Sequence, residues 1–245
     1  MTVKPPLVVI NGWAMPASVW GDMRDWLSDR FALTWVDINC SRTSEQWLEF
    51  FAANCPPSAI WLGWSLGGEL ALEVAKQNVL PMRRLMLLAS TPCFMARPDW
   101  PCGQPQSAVD KLRSLVQKSS ASLIKRFALL QTVGSIGEQV DTRKMLSLMD
   151  QQDPVFAKDT LLSGLALLEQ LDSRAWLQRA GIPVDFILGE SDSVVLVKKD
   201  ELIALNPQIN ANVIPGMGHF PFLSSALSLK HCLQELFDGP TGRRL

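Results

Sequence analysis

A serine between two glycines stands where an apolar strand pattern meets a helical one. Ser65 lies in Gly63-Trp64-Ser65-Leu66-Gly67, which follows the apolar residues 59–62 and leads into the helical pattern 66–76. Glycines two residues before and after the serine leave room for a tight turn that holds the Oγ clear of the sheet, as in a nucleophile elbow. The chemistry would be attack by the serine oxygen on a carbonyl carbon. A turn whose serine only caps the helix is the alternative.

A serine hydroxyl needs a base within hydrogen-bond reach, and the chain has only 2 histidines. His231 lies in a C-terminal helical pattern and reads as a surface or helix-end residue. His219 lies between Gly218 and Phe220, in a loop that follows the short strand pattern 211–214 and precedes a last helix. His219 is therefore the predicted base.

The acid that orients this histidine is expected between the serine and the histidine in chain order. Asp192 follows the apolar run 183–189, at the carboxyl end of a predicted strand, where open α/β sheets build their sites. Glu190 is the rival acid, two residues earlier. A third possibility is that a residue of the 191–193 turn only caps a helix beginning near Val195.

Two backbone amides are predicted to stabilise the negative charge that forms on the attacked carbonyl oxygen. The first is the N–H of Leu66, directly after the serine. The second is the N–H of Trp13, in the turn Asn11-Gly12-Trp13-Ala14 that follows the strand pattern 7–10. A turn glycine beside a core tryptophan is the plain alternative for that segment.

Apolar runs alternate with amphipathic patterns, which predicts an α/β fold: an α/β-hydrolase fold with a mostly parallel sheet and helices on both faces. The strand patterns are 7–10, 31–36, 59–63, 84–89, 183–188 and 211–214. The interval 91–180 has no convincing strand and several helical patterns, at 109–130, 143–149 and 158–171. We therefore expect a core of residues 1–90 and 181–245 with a helical cap of residues 91–180 inserted in it.

Five segments together carry a more specific resemblance. They are Asn11-Gly12-Trp13, the tryptophan-flanked elbow 59–68, Ala89-Ser90-Thr91-Pro92-Cys93-Phe94 with Asp99-Trp100-Pro101, the cap segment 126–132 and Gly218-His219-Phe220-Pro221-Phe222. The chain resembles the pimeloyl-[acyl-carrier protein] methyl ester esterases of biotin synthesis, in the core and the cap alike.

This resemblance implies hydrolysis of a methyl ester on a carrier-bound pimeloyl chain by Ser65, Asp192 and His219, without a metal or an organic cofactor. It also implies an acyl channel and a docking surface for the acyl-carrier protein. The channel residues would be Phe127, Leu130 and Gln131, and the docking residues Arg126, Arg143 and the neighbouring Lys125.

The chain departs from the family at two places. The family usually reads His-Gly-Trp-Gly at the oxyanion turn, where this chain has Asn11 and Ala14. A backbone donor at Trp13 does not depend on either side chain. The chain also starts almost directly at the oxyanion strand, so we expect a sheet trimmed at one edge.

Basic residues are concentrated in the predicted cap. Between Arg97 and Lys144 there are eight Lys or Arg against four Asp or Glu, in a chain of net charge −1. Lys111, Lys118 and Lys125 recur every seven residues and so share one face of any continuous helix. This excess predicts an acidic partner, and a solvated helix face is the alternative.

Composition sets the outer limits. The 245 residues are 47% hydrophobic, enough for one full core, and the balanced charge argues against a nucleic-acid binder. No run approaches a membrane span of roughly 18 apolar residues, and the N-terminus does not read as a signal peptide. Five cysteines without Cys-x-x-Cys spacing predict free thiols and no zinc site. The expectation is a monomeric cytoplasmic enzyme.

Two other functions remain open from the sequence. A broad short-chain carboxylesterase, or another capped hydrolase or lyase of this fold, would share every catalytic residue and differ in the cap. A non-catalytic module that binds the acyl-carrier protein is the third reading, which the altered turn at Asn11 leaves open.

Overall fold

A computed structural model describes residues 3–118, 126–127, 129–150 and 157–239, and Lys125 lies outside these ranges. Six strands form one sheet: β1 (Pro6–Ile10), β2 (Ala32–Val36), β3 (Ala59–Trp64), β4 (Met82–Leu88), β5 (Val184–Gly189) and β6 (Asn210–Ile214). The helices are α1 (Asp22–Ser28), α2 (Ser44–Asn54), α3 (Leu66–Lys76), α4 (Gln106–Lys118), α5 (Glu138–Asp150), α6 (Lys158–Gln170), α7 (Arg174–Leu177), α8 (Lys199–Leu205) and α9 (Ala226–Asp238). Residues 126, 127 and 129–132 are also helical, and a short 3-10 helix spans Ala17–Trp20.

The strands pair in the order β2-β1-β3-β4-β5-β6, and every pairing is parallel. Every residue of β3 and β5 is buried, because helices cover both faces of a parallel sheet. This burial explains why these strands read as unbroken apolar runs in the sequence. The predicted α/β-hydrolase fold class is confirmed, and its six predicted strands are all present.

The sheet register aligns the carboxyl ends of the strands. Ile10 lies beside Gly63, Trp64 beside Leu88, and Leu88 beside Ile187. The chain passes from β1 to the β2 side and then returns to the other side of β1, so the strand order reverses beside β1. Such a switch point leaves a crevice above the strand ends where α/β sheets bind ligands.

Between β4 and β5 the described residues form helices and no strand beyond isolated bridges. Cys93 bridges to Asp172, and the Ser173 N–H donates to the Pro92 carbonyl at 2.8 Å, so the two ends of this segment meet. Arg174 binds Asp172 at 2.7 Å and Asp99 at 3.0 Å. We call this helical segment, residues 91–180, the cap. Its status as a separate domain stays a prediction.

The cap helices differ in detail from the sequence pattern. α4 begins three residues before the predicted 109 and is described to Lys118, whereas residues 119–125 lie outside the described part of the chain. Helical structure is described again at 126. None of the described helices is long and apolar enough to cross a membrane.

Candidate active site

Ser65 lies at the sharp turn between β3 and α3. Its backbone has φ 55° and ψ −126°, a region that L-residues rarely adopt, so the turn holds local strain. A Cβ on Gly63 would come within 2.5 Å of the backbone of Gly68, and a Cβ on Gly67 would meet the Ile10 carbonyl oxygen. Glycine at these positions therefore lets α3 approach the ends of β1 and β3 closely. The Ser65 amide donates to the Leu88 carbonyl at 2.9 Å, which fixes the turn to β4.

His219 connects Ser65 to Asp192. The Ser65 Oγ lies 3.0 Å from His219 Nε2, and His219 Nδ1 lies 2.9 Å from Asp192 Oδ2. In the tautomer with its proton on Nδ1, the ring donates to the carboxylate and accepts from the serine hydroxyl. His219 is 1% exposed and Asp192 6% exposed, so the hydrogen bond between them is shielded from water, whereas the Ser65 hydroxyl lies at the cavity. The structure brings the three sequence-predicted residues into one hydrogen-bonded chain.

The other oxygen of Asp192 binds backbone. Its Oδ1 accepts from the N–H groups of Val194 and Val195 at 2.8 and 2.9 Å, which fixes the carboxylate plane. The predicted helix start near Val195 is wrong, because α8 begins at Lys199. Acceptance from the amides two and three residues on is also what a helix N-cap does, but no helix follows Asp192 directly.

Glu190, the rival acid, supports the histidine loop instead. Its Oε2 accepts from the Gly216 N–H at 3.0 Å. The Ser191 N–H donates to the Met217 carbonyl at 3.0 Å, and the Trp64 indole donates to the His219 carbonyl at 3.1 Å. The His219 loop is thus fixed from the acid turn on one side and from β3 on the other.

Asn11 organises the turn after β1. Its Oδ1 accepts from the Gly12 N–H at 2.9 Å and from the Trp20 indole at 3.0 Å. Its Nδ2 donates to the Met15 carbonyl at 2.6 Å and to Asp37 at 3.3 Å. The side chain is 0% exposed, so these four bonds satisfy a buried amide whose polar groups would otherwise be costly.

The backbone N–H groups of Trp13 and Leu66 are two candidate donors to an oxyanion. Neither has a hydrogen-bond acceptor among the described residues. Leu66 is the first residue of α3, so its N–H is one of the unpaired donors at a helix N-terminus and carries the positive end of the helix dipole. An oxyanion beside Ser65 would accept from such donors.

The Trp13 ring anchors the oxyanion turn to the cap. Its Nε1 donates to the Leu161 carbonyl at 3.1 Å, and its ring meets Phe127 edge to face with centroids 4.8 Å apart. A Cβ on Gly164 would lie 2.5 Å from the Trp13 Nε1. Gly164 therefore gives the ring room to lie against α6.

A cavity of about 790 Å³ opens at Ser65. Trp13, Phe127 and Leu130 line it, as do the apolar residues Phe94, Val109, Leu112, Leu115, Leu168 and Val194. Its charged lining residues are Asp110, Lys111, Lys118 and Arg126. Lys111 and Lys118 both belong to α4.

Not every predicted cap residue reaches this cavity. Gln131 does not line it, and it is 1% exposed. Its carbonyl accepts from the Phe220 N–H at 3.1 Å, so Gln131 supports the histidine loop. Arg143 is exposed on α5 and also lies outside the lining residues, whereas Arg126 is among them.

Two buried features were not predicted. Glu69, four residues after Ser65 on α3, is 2% exposed, and burial raises its pKa well above the usual carboxyl value. Arg84 binds Asp185 inside the sheet, with Nη2 to Oδ1 at 2.9 Å. Alternation of apolar residues in a strand carries no signal for such a pair.

His231 is exposed and 3.4 Å from Glu235, as expected of a surface residue.

The fold and the bonded serine, histidine and aspartate define an α/β hydrolase. The sequence model of the alpha/beta hydrolase family matches residues 7–228. Among solved structures, a bromoperoxidase from Bacillus anthracis superposes with a TM-score of 0.77 at 15% identity, over 95% of this chain and 91% of its own. An esterase from Exiguobacterium antarcticum gives 0.76 at 16% identity, over 96% and 92%. At these identities the likeness is one of fold.

Curated relatives are more similar in sequence. The pimeloyl-[acyl-carrier protein] methyl ester esterase of Nitrosomonas europaea is 33% identical over 95% of both chains. Its namesake from Edwardsiella ictaluri is 31% identical over 96% of this chain and 94% of its own. This chain belongs to the pimeloyl-[acyl-carrier protein] methyl ester esterase family of α/β hydrolases.

Proposed function

We propose that this protein is a serine carboxylesterase that hydrolyses the methyl ester of pimeloyl-acyl-carrier protein in biotin biosynthesis. The observation that carries the proposal is the hydrogen-bonded chain from Ser65 through His219 to Asp192, which opens on a largely apolar cavity. Membership of the esterase family supports the choice of substrate.

Acylation begins when the Ser65 Oγ attacks the ester carbonyl carbon and its proton passes to His219 Nε2. Asp192 accepts from His219 Nδ1 and stabilises the imidazolium that forms. The N–H groups of Trp13 and Leu66 donate to the oxyanion. The bond from the carbonyl carbon to the methoxy oxygen then breaks, and His219 returns the proton so that methanol leaves.

Deacylation uses the same groups. Water attacks the acyl-enzyme carbonyl while His219 Nε2 takes a proton from the water. The bond to the Ser65 Oγ then breaks, and the proton returns to that oxygen. The products are a free carboxylate at the end of the chain and the starting enzyme, and the thioester to the carrier is untouched.

The cavity extends along α4. The residues of α4 from Ser107 to Lys118 that line it span about 16 Å of helix axis at 1.5 Å per residue. Phe94, Phe127 and Leu168 offer apolar surface to methylene groups, whose burial is favourable at about 0.8 kcal/mol per CH₂.

The carrier protein would dock on the cap. Exposed Arg126 and Arg143, with Lys144 beside them, offer positive charge without a carboxylate partner among the described residues. The same region exposes the aliphatic side chains of Leu129, Val133, Ile136 and Val140, at 43 to 78% exposure. An acidic partner with apolar contacts fits this surface. Lys125 belongs to the same proposal but lies outside the described residues.

The cytoplasmic location and the monomeric state stay predictions. All 5 cysteines are free, which fits a reducing compartment.

Covalent labelling tests the catalytic part of the proposal. An organophosphonate should add once to wild-type protein at Ser65, as found by mass spectrometry of the digest. Ser65→Ala should not be labelled, and its turnover of p-nitrophenyl butyrate should fall by about 10⁶-fold. Near-normal turnover by Ser65→Ala would overturn the assignment. A serine-dependent enzyme that prefers small esters to the carrier-linked ester would be a general carboxylesterase.

A further inference from the structure

Two lysines of α4 face the substrate cavity without a carboxylate partner. Lys111 and Lys118 are exposed, line the cavity, and form no ion pair with any described residue. Arg113, on the same helix, is different: it binds Glu169 of α6 and lies outside the cavity lining. Arg113 of α4 therefore binds another cap helix, whereas Lys111 and Lys118 line the cavity.

The ester itself does not explain these cations. A methyl ester, a methylene chain and a thioester are all neutral, so none of them gains Coulombic stabilisation from an ammonium group. The described charged lining consists of three cations, Lys111, Lys118 and Arg126, and the carboxylate of Asp110, which also accepts from Gln106 at 3.2 Å. The net positive charge indicates that the bound molecule carries an anion beyond the acyl chain.

On the proposed function, the arm that carries the acyl chain supplies such an anion. Acyl-carrier proteins hold their acyl group as a thioester at the end of a pantetheine arm, which a phosphodiester joins to the protein. We propose that Lys111 and Lys118 form a subsite for this phosphodiester. The inference rests on the proposed function and names the part of the substrate that these two lysines recognise.

The helix geometry fits one phosphate between the two lysines. Residues seven apart are separated by about 10 Å along the axis and lie on one face. A phosphate above the middle of that span is about 5 Å along the axis from each Cα, within reach of a lysine side chain. Lysine binds phosphate as a point charge and needs no fixed fork geometry, which suits a flexible arm.

The test compares one acyl group on two arms. Pimeloyl methyl ester is supplied as the thioester of pantetheine and as the thioester of 4′-phosphopantetheine, at low and at physiological ionic strength. Wild-type protein should favour the phosphorylated arm by about tenfold in kcat/KM, mainly through KM, and added salt should reduce the preference. In the double variant Lys111→Gln/Lys118→Gln the ratio should fall to about one.

Two controls sharpen this comparison. Lys199→Gln removes an exposed lysine of α8 that does not line the cavity, and it should leave the ratio at its wild-type value. Lys111→Arg/Lys118→Arg keeps both charges and should keep most of the preference. Dissociation constants of the two esters with Ser65→Ala should show the same ratio, because binding does not need the nucleophile.

Three results would overturn the subsite. The first is equal kcat/KM of wild type with both arms, and the second is an unchanged preference in the double glutamine variant. The third is a loss of kcat/KM in that variant that appears only with the whole carrier protein. The last would place the lysines against the carrier's acidic surface instead. Failure of the proposed function differs from these, since no arm would then support Ser65-dependent hydrolysis.

Discussion

One buried side chain, that of Asn11, fixes the turn after β1. Its four hydrogen bonds join the turn after β1 to the indole of Trp20, to the Met15 carbonyl and to Asp37. The family usually has histidine here, and the asparagine amide still supplies both donors and acceptors to the turn. We therefore treat Asn11 as a positioning residue for the Trp13 amide.

Asn11→Ala should lower kcat by about 10² or somewhat less with little change in KM, because the role proposed for the Trp13 amide is to bind the oxyanion, which forms only after attack. Steady-state kinetics with p-nitrophenyl butyrate measures the split. Asn206→Ala is the matched control: Asn206 is also buried and donates to the Leu177 carbonyl at 2.9 Å, away from the site. It should reduce stability and leave kcat as it is. An equal effect of both variants on kcat would count against a positioning role.

Asp192 and Glu190 separate by function although they are two residues apart. Asp192→Asn should lower kcat by about 10⁴, because the amide no longer fixes the histidine tautomer or stabilises the imidazolium. Glu190→Gln can still accept from the Gly216 N–H and should change kcat little. Comparison of the two variants at one pH decides the assignment. A large loss in Glu190→Gln with a mild one in Asp192→Asn would reverse it.

A motif identified those site residues that belong to a residue type with few copies in the chain or that have their characteristic neighbours close in sequence. Ser65 is marked by its own glycines, and only two histidines compete for the base. The role of Asn11 depends on Trp20 and Asp37, which are distant in sequence, so no local pattern shows it. The same holds for Gln131, predicted to line the acyl channel: it meets the Phe220 amide through a contact 89 residues away in the chain.

At the scale of elements, α6 and the oxyanion turn depend on each other. Gly164→Ala should stabilise an isolated helix by about 1 kcal/mol. Here its Cβ would collide with the Trp13 ring, and overpacking of this kind costs about 1–3 kcal/mol. We expect a lower melting temperature and a lower kcat, measured by thermal unfolding and ester hydrolysis.

Gly181→Ala is the control for this variant, since no atom lies within 4 Å of a Cβ at that position. It should leave both quantities close to wild type. A Gly164→Ala protein with a raised melting temperature would show that helix propensity outweighs the contact with Trp13.

Strands and helices could be predicted where their burial requires a regular pattern of apolar residues in the sequence. Strands buried on both faces read as apolar runs, and each predicted strand falls within two residues of the observed bounds. The start of α8 was not predictable, since the amides of Val194 and Val195 bind a carboxylate that also serves His219. An aspartate that accepts from the amides two and three residues on has the pattern of a helix N-cap, so the local sequence predicts a helix start that the chain does not form.

The buried carboxyl of Glu69 makes the stability of the whole molecule depend on pH. Burial raises its folded-state pKa, so the folded protein holds a proton that the unfolded chain releases above the ordinary carboxyl pKa. Stability should therefore fall as pH rises from about 4.5 towards the raised value. Glu69→Gln stays neutral throughout and should lose less stability between pH 5 and pH 8. Urea unfolding at both pH values measures the free energy of unfolding. An equal loss between the two pH values in wild type and in Glu69→Gln would exclude Glu69 as the cause.

Hydrolysis of the methyl ester leaves the thioester in place, so mass spectrometry of the intact carrier protein shows which bond of the substrate breaks. Pimeloyl-acyl-carrier protein methyl ester is incubated with wild-type protein and with Ser65→Ala. Wild type should convert the carrier to a species lighter by one methylene, with the thioester intact and methanol released, and Ser65→Ala should not. Release of the whole acyl group, or no Ser65-dependent change in mass, would contradict the proposed function.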